Sequence, residues 1–250
     1  YSKAITTTDS RTTKGMETLE SIINAAKAAI RKTDTKVRYR LPFTEESVAP
    51  LLADSYAALV ASRGGEMQDD DATRRNIARV ARWLTSDRTK PMLMLYGGVG
   101  NGKTTMARAV ALLSSSLRSA YEEVSRNERD TKTSDALYIK ASAIRVPAIY
   151  TAQDIANLAG SRRAEYEAIV ARSFLIIDDL GCEPAVVKNY GTEVTPITDL
   201  IYKRYDAMSP TVVTTNLTKA DIREIYGDRV ADRFNEVFET IGYQERSYRR

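Results

Sequence analysis

The sequence contains no histidine and only one cysteine, Cys182, among its 250 residues. Without histidine, zinc sites built on imidazole and nucleophiles activated by an imidazole base are excluded. A single cysteine excludes an internal disulfide and fits a reducing compartment, so we expect a cytoplasmic protein. No apolar run approaches the ~20 residues of a membrane span, and the polar, threonine-rich start does not resemble a signal peptide. We therefore expect no membrane association.

The overall composition is that of a globular chain. Hydrophobic residues make up 43% and charged residues 28%, which are ordinary proportions for a soluble domain. The length is sufficient for one large α/β domain with a helical appendage. The net charge is only +4, but the pI of about 9.0 leaves room for a basic face.

The most informative motif lies near the middle of the chain, where residues 97–104 read GGVGNGKT. This matches G-x-x-x-x-G-K-[ST], the pattern of a phosphate-binding P-loop. The glycines of such a loop let backbone N–H groups approach phosphate oxygens without an obstructing Cβ. The ammonium group of Lys103 is expected at the β- and γ-phosphates, and the hydroxyl of Thr104 on Mg²⁺. The predicted ligands are therefore ATP and Mg²⁺, held by Gly98, Gly100, Asn101, Gly102, Lys103, Thr104 and Thr105.

The surroundings of this loop support the prediction. An apolar run at 91–96 indicates a buried strand before the loop, and residues 105–113 read as a helix after it. Further on, short apolar runs alternate with helical patterns, which predicts an α/β fold with a parallel sheet between helices. The candidate strands are 92–96, 144–151, 174–178 and 211–215.

A second phosphate-related signal is the acidic pair Asp178-Asp179, which follows the apolar run 174–177. Alone, such a pair usually marks only the end of a strand. Downstream of a P-loop it matches the Walker B pattern, in which Asp178 holds Mg²⁺ and Asp179 orients or deprotonates the attacking water. Many ATPases carry glutamate at the second position, so aspartate here predicts slow hydrolysis.

The strand at 211–215 ends in Thr215 and Asn216. Because the carboxyl ends of parallel strands meet at one edge of a sheet, both side chains could contact the γ-phosphate or the lytic water. The alternative is an asparagine turn without contact to a ligand.

Two arginines, Arg229 and Arg233, lie four residues apart on one predicted helical face. An arginine can stabilise charge on a γ-phosphate in its own subunit or in a neighbour. The alternative is that both pair with nearby acids, such as Asp228 or Asp232, on a solvated helix.

The chain divides by composition into three regions. The first is a basic, partly disordered extension with an amphipathic helix at 16–32. We expect this helix to contact nucleic acid or a partner protein. The alternative is that it is solvated and docks only loosely on its own domain. Helices are expected at 47–62 and 72–84, whereas 122–134 reads as a surface excursion. The predicted regions are the extension at 1–40, a helical lead-in at 41–90 that packs on the core, and an ATPase core at 91–250.

Taken together, the motifs resemble the AAA+ ATPases of the DnaC/IstB type, which include bacterial helicase loaders and the ATPase helpers of transposases. The resemblance runs from about residue 92 to the end of the chain. Besides the P-loop, it rests on LIIDDLG at 175–181, VVTTNL at 212–217, YGDRVADRF at 226–234 and RSYR at 246–249.

This resemblance implies roles for individual residues. Asn216 would be the sensor I residue, and Arg233 an arginine finger that acts on ATP in the next subunit of an oligomer. Arg229 and Arg249 would lie near the nucleotide or the subunit interface. The family also lacks the helical lid domain of many AAA+ proteins, and we expect none here.

The family further implies a helical insertion that contacts single-stranded DNA, which corresponds here to residues 152–172. Arg162, Arg163 and Arg172 would neutralise phosphates, and Tyr166 would stack on a base. The alternative is an ordinary crossover with exposed arginines.

The expected function is an ATP-dependent protein that acts on DNA, with a replicative helicase as its partner. One alternative is a helper of a transposase that binds duplex DNA. Another is a nucleotide-gated protein scaffold that does not contact DNA. Residues 1–90 match the N-terminal modules of neither loaders nor transposition helpers, so the partner stays open.

Overall fold

The computed structural model describes residues 21–24, 27, 38–189 and 192–243. The chain divides into two units, Tyr1–Val37 and Arg38–Arg250. In the first unit, residues 21–24 and 27 are helical, and the rest of the helix predicted at 16–32 lies outside the described residues. The RSYR segment with Arg249 also lies outside them.

The second unit alternates helices and strands. The helices are α1 Glu45–Ala61, α2 Asp71–Thr85, α3 Lys103–Asn127, α4 Thr131–Ala143, α5 Ala152–Ser161, α6 Arg163–Val170, α7 Pro196–Asp206, α8 Lys219–Tyr226 and α9 Asp228–Val237. The strands are β1 Met92–Gly97, β2 Ala148–Thr151, β3 Leu175–Leu180, β4 Val187–Asn189, β5 Thr192–Val194, β6 Thr211–Thr215 and β7 Phe238–Tyr243. None of these helices combines the length and apolar character needed to cross a membrane.

Five strands form one sheet in the order β2-β3-β6-β1-β7, and all neighbours pair in parallel. Successive side chains of a strand point to opposite faces. Along β1, Leu93 and Leu95 accordingly join a core with α1, α2 and α3, whereas Met92 and Met94 join a core with α5, α7 and α9. The predicted parallel sheet between two helical layers is therefore confirmed.

The two helices before the sheet begin at side-chain caps. Thr44 accepts a hydrogen bond from the backbone N–H of Ser47 at the start of α1, and Asp70 accepts one from Thr73 at the start of α2. Both helices lie within two residues of their predicted bounds.

Several elements differ from the prediction. Residues 122–134 are not an excursion but the end of α3 and the start of α4, where Asp130 caps the new helix through the N–H of Thr133. Because α4 continues to Ala143, β2 begins only at Ala148 rather than at 144. The edge strand β7 and the antiparallel hairpin β4–β5 were not predicted.

Candidate functional site

The P-loop connects the end of β1 to the start of α3. Gly102 caps α3 with a left-handed backbone (φ 92°), and a Cβ at this position would lie 2.3 Å from the hydroxyl oxygen of Tyr56. Only glycine satisfies both conditions without strain. Since glycine has no side chain to cap the helix, the first N–H groups of α3 are left for an anion.

The side chain of Lys103 is buried and lies across the loop. Its Nζ donates hydrogen bonds to the carbonyl oxygens of Gly97 (2.9 Å) and Gly98 (2.6 Å) and to Oδ1 of Asn216 (2.8 Å). The structure therefore brings Asn216, at the end of β6, into contact with the P-loop lysine.

Asn101 links the loop to β7. Its Nδ2 donates a hydrogen bond of 2.8 Å to the carbonyl oxygen of Tyr243, and the side chain is buried. Gly97 approaches the same carbonyl, since a Cβ there would lie 2.1 Å from the oxygen. The amide of Asn101 thus fixes the loop against a strand that the sequence did not reveal.

The carboxylate of Asp178 is almost completely buried beside Thr104. Its Oδ1 accepts hydrogen bonds from the hydroxyls of Thr104 (2.9 Å) and Thr214 (2.6 Å). On the other side, Nη2 of Arg108 lies 4.0 Å from Oδ2. The two residues predicted as metal ligands, Thr104 and Asp178, are therefore in direct contact.

A β-bulge explains why two consecutive aspartates reach the same cleft. The pairing of β3 with β6 shifts register between Ile177 and Leu180, and Asp179 adopts a left-handed backbone (φ 58°) that aspartate tolerates. The N–H of Asp179 donates to Oγ1 of Thr214 (2.9 Å), which holds the bulge. Both Asp178 and Asp179 consequently line the cleft.

The cleft has a volume of about 560 Å³, within the range of small-molecule sites. Part of its wall comes from α1 and the turn after it, where Nη1 of Arg63 reaches Oγ1 of Thr105 at 3.4 Å. The sequence predicted only a helix at 47–62 in this region and assigned none of these wall residues to the site. The wall residues not predicted are Tyr56, Val60, Arg63, Gly65 and Arg108.

The hydroxyl of Thr215 forms hydrogen bonds with neighbouring backbone groups instead of lining the cleft. It donates to the carbonyl oxygen of Leu180 (2.7 Å) and accepts from the N–H of Leu217 (3.0 Å), and the residue is completely buried. Of the two polar residues at the end of β6, only Asn216 lines the cleft.

Arg229 and Arg233 of α9 do not line this cleft. They border a separate groove of about 460 Å³, where Nη1 of Arg233 donates to Oε2 of Glu236 (2.8 Å) and its guanidinium lies 4.8 Å from the ring centre of Tyr205. Asp228 and Asp232 pair instead with Arg223. Arg233 therefore pairs with a nearby acid on its own helix, as the alternative interpretation expected, although this acid is Glu236 rather than Asp228 or Asp232. Arg229 forms no salt bridge within the described residues.

The proposed stacking role of Tyr166 is wrong. The residue is completely buried on α6, burial raises the pKa of its phenol, and its hydroxyl donates to the carbonyl oxygen of Pro196 (2.8 Å). Arg162 and Arg163 form salt bridges with Glu165 and Glu167 one turn away.

No protein-family model and no curated protein matches the chain. Solved structures do match. The structure of the DnaC helicase loader shares 20% identity over 71% of this chain and 93% of its own, with a TM-score of 0.46. The structure of DnaI shares 15% identity over 82% and 99%, with a TM-score of 0.47. AMPPCP-bound DnaA from Aquifex aeolicus shares 15% identity over 70% and 48%, with a TM-score of 0.43.

In fold, the chain is similar to the DnaC helicase loader, to DnaI and to DnaA.

Proposed function

We propose that this chain binds ATP with Mg²⁺, hydrolyses it slowly, and acts on DNA as a self-associating, DnaC-like AAA+ protein. One observation carries the proposal: a single cleft brings together the P-loop, the acidic pair in β3 and the amide after β6. These groups come from distant parts of the sequence and are the ones that phosphoryl transfer needs.

Phosphate binding is assigned to the loop amides, the N-terminus of α3 and Lys103. In the structure the ammonium group of Lys103 donates to two loop carbonyls and to Asn216. With ATP in the cleft, it would redirect these donors to phosphate oxygens while Asn216 stays close to the γ-phosphate. The lysine thereby links nucleotide binding to the end of β6.

Thr104 and Asp178 fit a magnesium site. They offer a hydroxyl and a carboxylate oxygen 2.9 Å apart, and Mg²⁺ prefers one or two such oxygens together with phosphate and water. When bound, the ion would neutralise charge on the phosphates. Thr214 would hold the carboxylate in place during this exchange.

Asp179 and Arg233 complete the proposed reaction. Asp179 lines the cleft on an exposed bulge, where it can accept a proton from the attacking water or orient it. Arg233 lies outside the cleft of its own chain, so we assign it to the γ-phosphate of a neighbouring subunit. With such an arrangement, an isolated monomer would hydrolyse ATP slowly.

The role as a loader of a replicative helicase rests on the combination of motifs described above. A transposition helper on duplex DNA would share the same cleft. Co-purification with a hexameric helicase would support the loader, whereas filament growth on duplex DNA would support the helper.

The first test is the binding of a fluorescent ATP analogue to the wild type and to Lys103→Ala. Hydrogen bonds to charged groups contribute about 1.5–3 kcal/mol, so we expect the affinity to fall roughly 10- to 150-fold. Lys203→Ala is the matched control, because Lys203 is an exposed lysine that pairs with Glu167 far from the loop. Equal affinities of wild type and Lys103→Ala would overturn the proposal.

A further inference from the structure

Helix α2 presents an unusual outer face. The four exposed residues that follow Asp71 in this helix are all arginines. Arg75, Arg79 and Arg82 follow the spacing of one helical stripe. We call the set Arg74, Arg75, Arg79 and Arg82 the arginine face.

The arginine face lies in a strongly basic segment. Residues 72–90 contain six basic side chains and one acidic side chain, hence a net charge of +5. The whole chain carries only +4, so all other residues together carry −1. Residues 1–40, with nine basic and four acidic side chains, are equally basic, so residues 72–90 are one of two strongly basic segments of the chain.

Internal partners neutralise only part of this charge. Arg74 pairs with Asp69 and Asp71, and Arg82 pairs with Glu45. Arg79 instead donates to the carbonyl oxygen of Thr240 (2.7 Å), and Lys90 donates to that of Asn235. A carbonyl oxygen leaves the positive charge uncompensated.

Two further cations in the segment, Arg75 and Arg88, form no salt bridge with an acidic residue in the described part of the chain.

The helix that carries the face is held by its buried side. Its opposite side buries Ile77, Val80 and Trp83 against α1 and the sheet. The arginines are therefore displayed at fixed spacing rather than on a loop.

We propose that the arginine face binds the phosphodiester backbone of nucleic acid. This inference rests on the proposed function, of which it names the DNA-contacting surface. Guanidinium groups match phosphate oxygens with paired hydrogen bonds, and a row of cations gains affinity by releasing counterions.

A protein partner fits this face less well. Protein interfaces are anchored by aromatic and apolar side chains. None of the exposed large apolar side chains in the described residues lies on α2. The face offers charge without such an anchor, which suits a polyanion.

The segment that the family resemblance assigns to DNA is a poorer candidate. Residues 152–172 contain three basic and three acidic side chains and so carry no net charge. Arg162 and Arg163 are already paired, and Tyr166 is buried. The two segments therefore make opposite predictions for a charge-neutralising variant.

The experiment measures binding of a fluorescein-labelled oligothymidylate, and of a duplex of equal length, by anisotropy over a range of salt concentrations. The full chain is compared with Arg75→Gln/Arg79→Gln and with the control Arg162→Gln/Arg163→Gln. Each phosphate contact contributes about 0.7 to the slope of log K against log[salt] on single strands, so the α2 variant should lose about 1.4. The control should keep the wild-type slope.

A second variant, Arg75→Gln/Arg88→Gln, combines one arginine of the face with one from the loop after α2. It guards against a structural effect, because neither side chain makes a hydrogen bond in the described structure. Affinity for the fluorescent ATP analogue is measured in every variant and should not change. An unchanged slope in both Arg75 variants, or a loss in the control, would overturn the inference. If the wild type binds nucleotide but no nucleic acid, the inference about the arginine face is also overturned, and an acidic protein becomes the expected partner. If the wild type does not bind nucleotide, the proposed function itself is overturned.

Discussion

The hydroxyl of Thr104 donates a hydrogen bond of 2.9 Å to Oδ1 of Asp178, although 74 residues separate the two in sequence. The same oxygen accepts a second hydrogen bond from Thr214. One buried carboxylate therefore joins the first turn of α3 to β3 and β6. Its other oxygen lies 4.0 Å from Nη2 of Arg108, so a positive charge of the protein already faces the carboxylate on that side.

Replacing Asp178 by asparagine separates metal binding from nucleotide binding. The amide keeps an oxygen that accepts from both threonines but loses the charge that attracts Mg²⁺. We expect Asp178→Asn to bind the fluorescent ATP analogue with an affinity that no longer rises with Mg²⁺. Titration of the analogue at several Mg²⁺ concentrations measures this.

Asp179→Asn is the matched comparison, since it changes the neighbouring carboxylate in the same cleft. It should keep the Mg²⁺ dependence of binding and slow hydrolysis by roughly 10²- to 10⁴-fold, as expected for loss of a general base. If the two variants behaved alike, the division of roles between the two aspartates would be wrong.

The P-loop makes a steric prediction at Gly102. Gly102→Ala adds a Cβ to a left-handed residue and drives it into the hydroxyl of Tyr56, whereas Gly64→Ala adds one at a similar φ of 74° with no atom within 4 Å. Left-handed strain costs about 1–2 kcal/mol, so Gly64→Ala should lose that amount of unfolding free energy and Gly102→Ala clearly more. Urea denaturation measures both.

The double variant Gly102→Ala/Tyr56→Phe isolates the clash. Removing the hydroxyl should recover the part of the loss that exceeds the Gly64→Ala value and leave the backbone strain. Equal losses in Gly102→Ala and Gly64→Ala would show that Tyr56 does not restrict this position.

Much of the site follows from the sequence because its signals are local. The P-loop and the acidic pair are short strings at fixed spacing, each beside an apolar run. No local motif marks Tyr56 or Arg63. They reach the cleft only because α1 packs against α3. Their place depends on tertiary contacts across about forty residues of sequence.

Of two errors, the one at Tyr166 had a signal in the sequence, whereas the missed strand β7 did not. Tyr166 and Ile169 lie three residues apart and form the buried side of α6, a spacing that favours a core position over a base-stacking one. In β7, buried residues at 238, 241 and 243 only partly follow strand alternation, and the run ends in no motif. A short edge strand of this kind is defined by its pairing with β1 rather than by its composition.

The loop after the acidic pair is tied to α8 through Glu183. Its buried carboxylate accepts hydrogen bonds from the N–H of Gly181 (2.8 Å) and from the hydroxyl of Tyr226. Tyr226→Phe removes one donor and leaves a buried acceptor without that partner, at a cost of about 1–3 kcal/mol in unfolding free energy. Tyr138→Phe, at a residue that is 62% exposed, should change nothing measurable.

The effect of this variant depends on pH. Burial, followed by the bond to Glu183, raises the pKa of Tyr226 above its ordinary value of 10.0. The unfolded chain therefore loses this proton first, and the stabilisation, complete below pH 10, declines as the pH rises above it. The gap in stability between the wild type and Tyr226→Phe should narrow above pH 10, and a gap that widened there would contradict the assignment.

Arg233 provides the test of a shared active site. Arg233→Ala should bind the ATP analogue normally, because the residue does not line the cleft of its own chain. Its hydrolysis rate in the assembled state should fall by on the order of 10³-fold, as for other arginines that reach a γ-phosphate in trans. Arg223→Ala is the control, since Arg223 is an exposed arginine that pairs with Asp228 and Asp232.

Mixing two inactive variants makes this test decisive. Asp179→Asn retains Arg233, and Arg233→Ala retains an intact cleft, so mixed assemblies contain interfaces that join the two intact halves. We expect the mixture to recover activity that neither variant shows alone, and to do so more strongly as the protein concentration rises. A mixture no more active than its parts, or a wild-type rate per subunit independent of concentration, would show that Arg233 does not act on the neighbouring subunit, because only a residue donated by a neighbour can be supplied from a second chain.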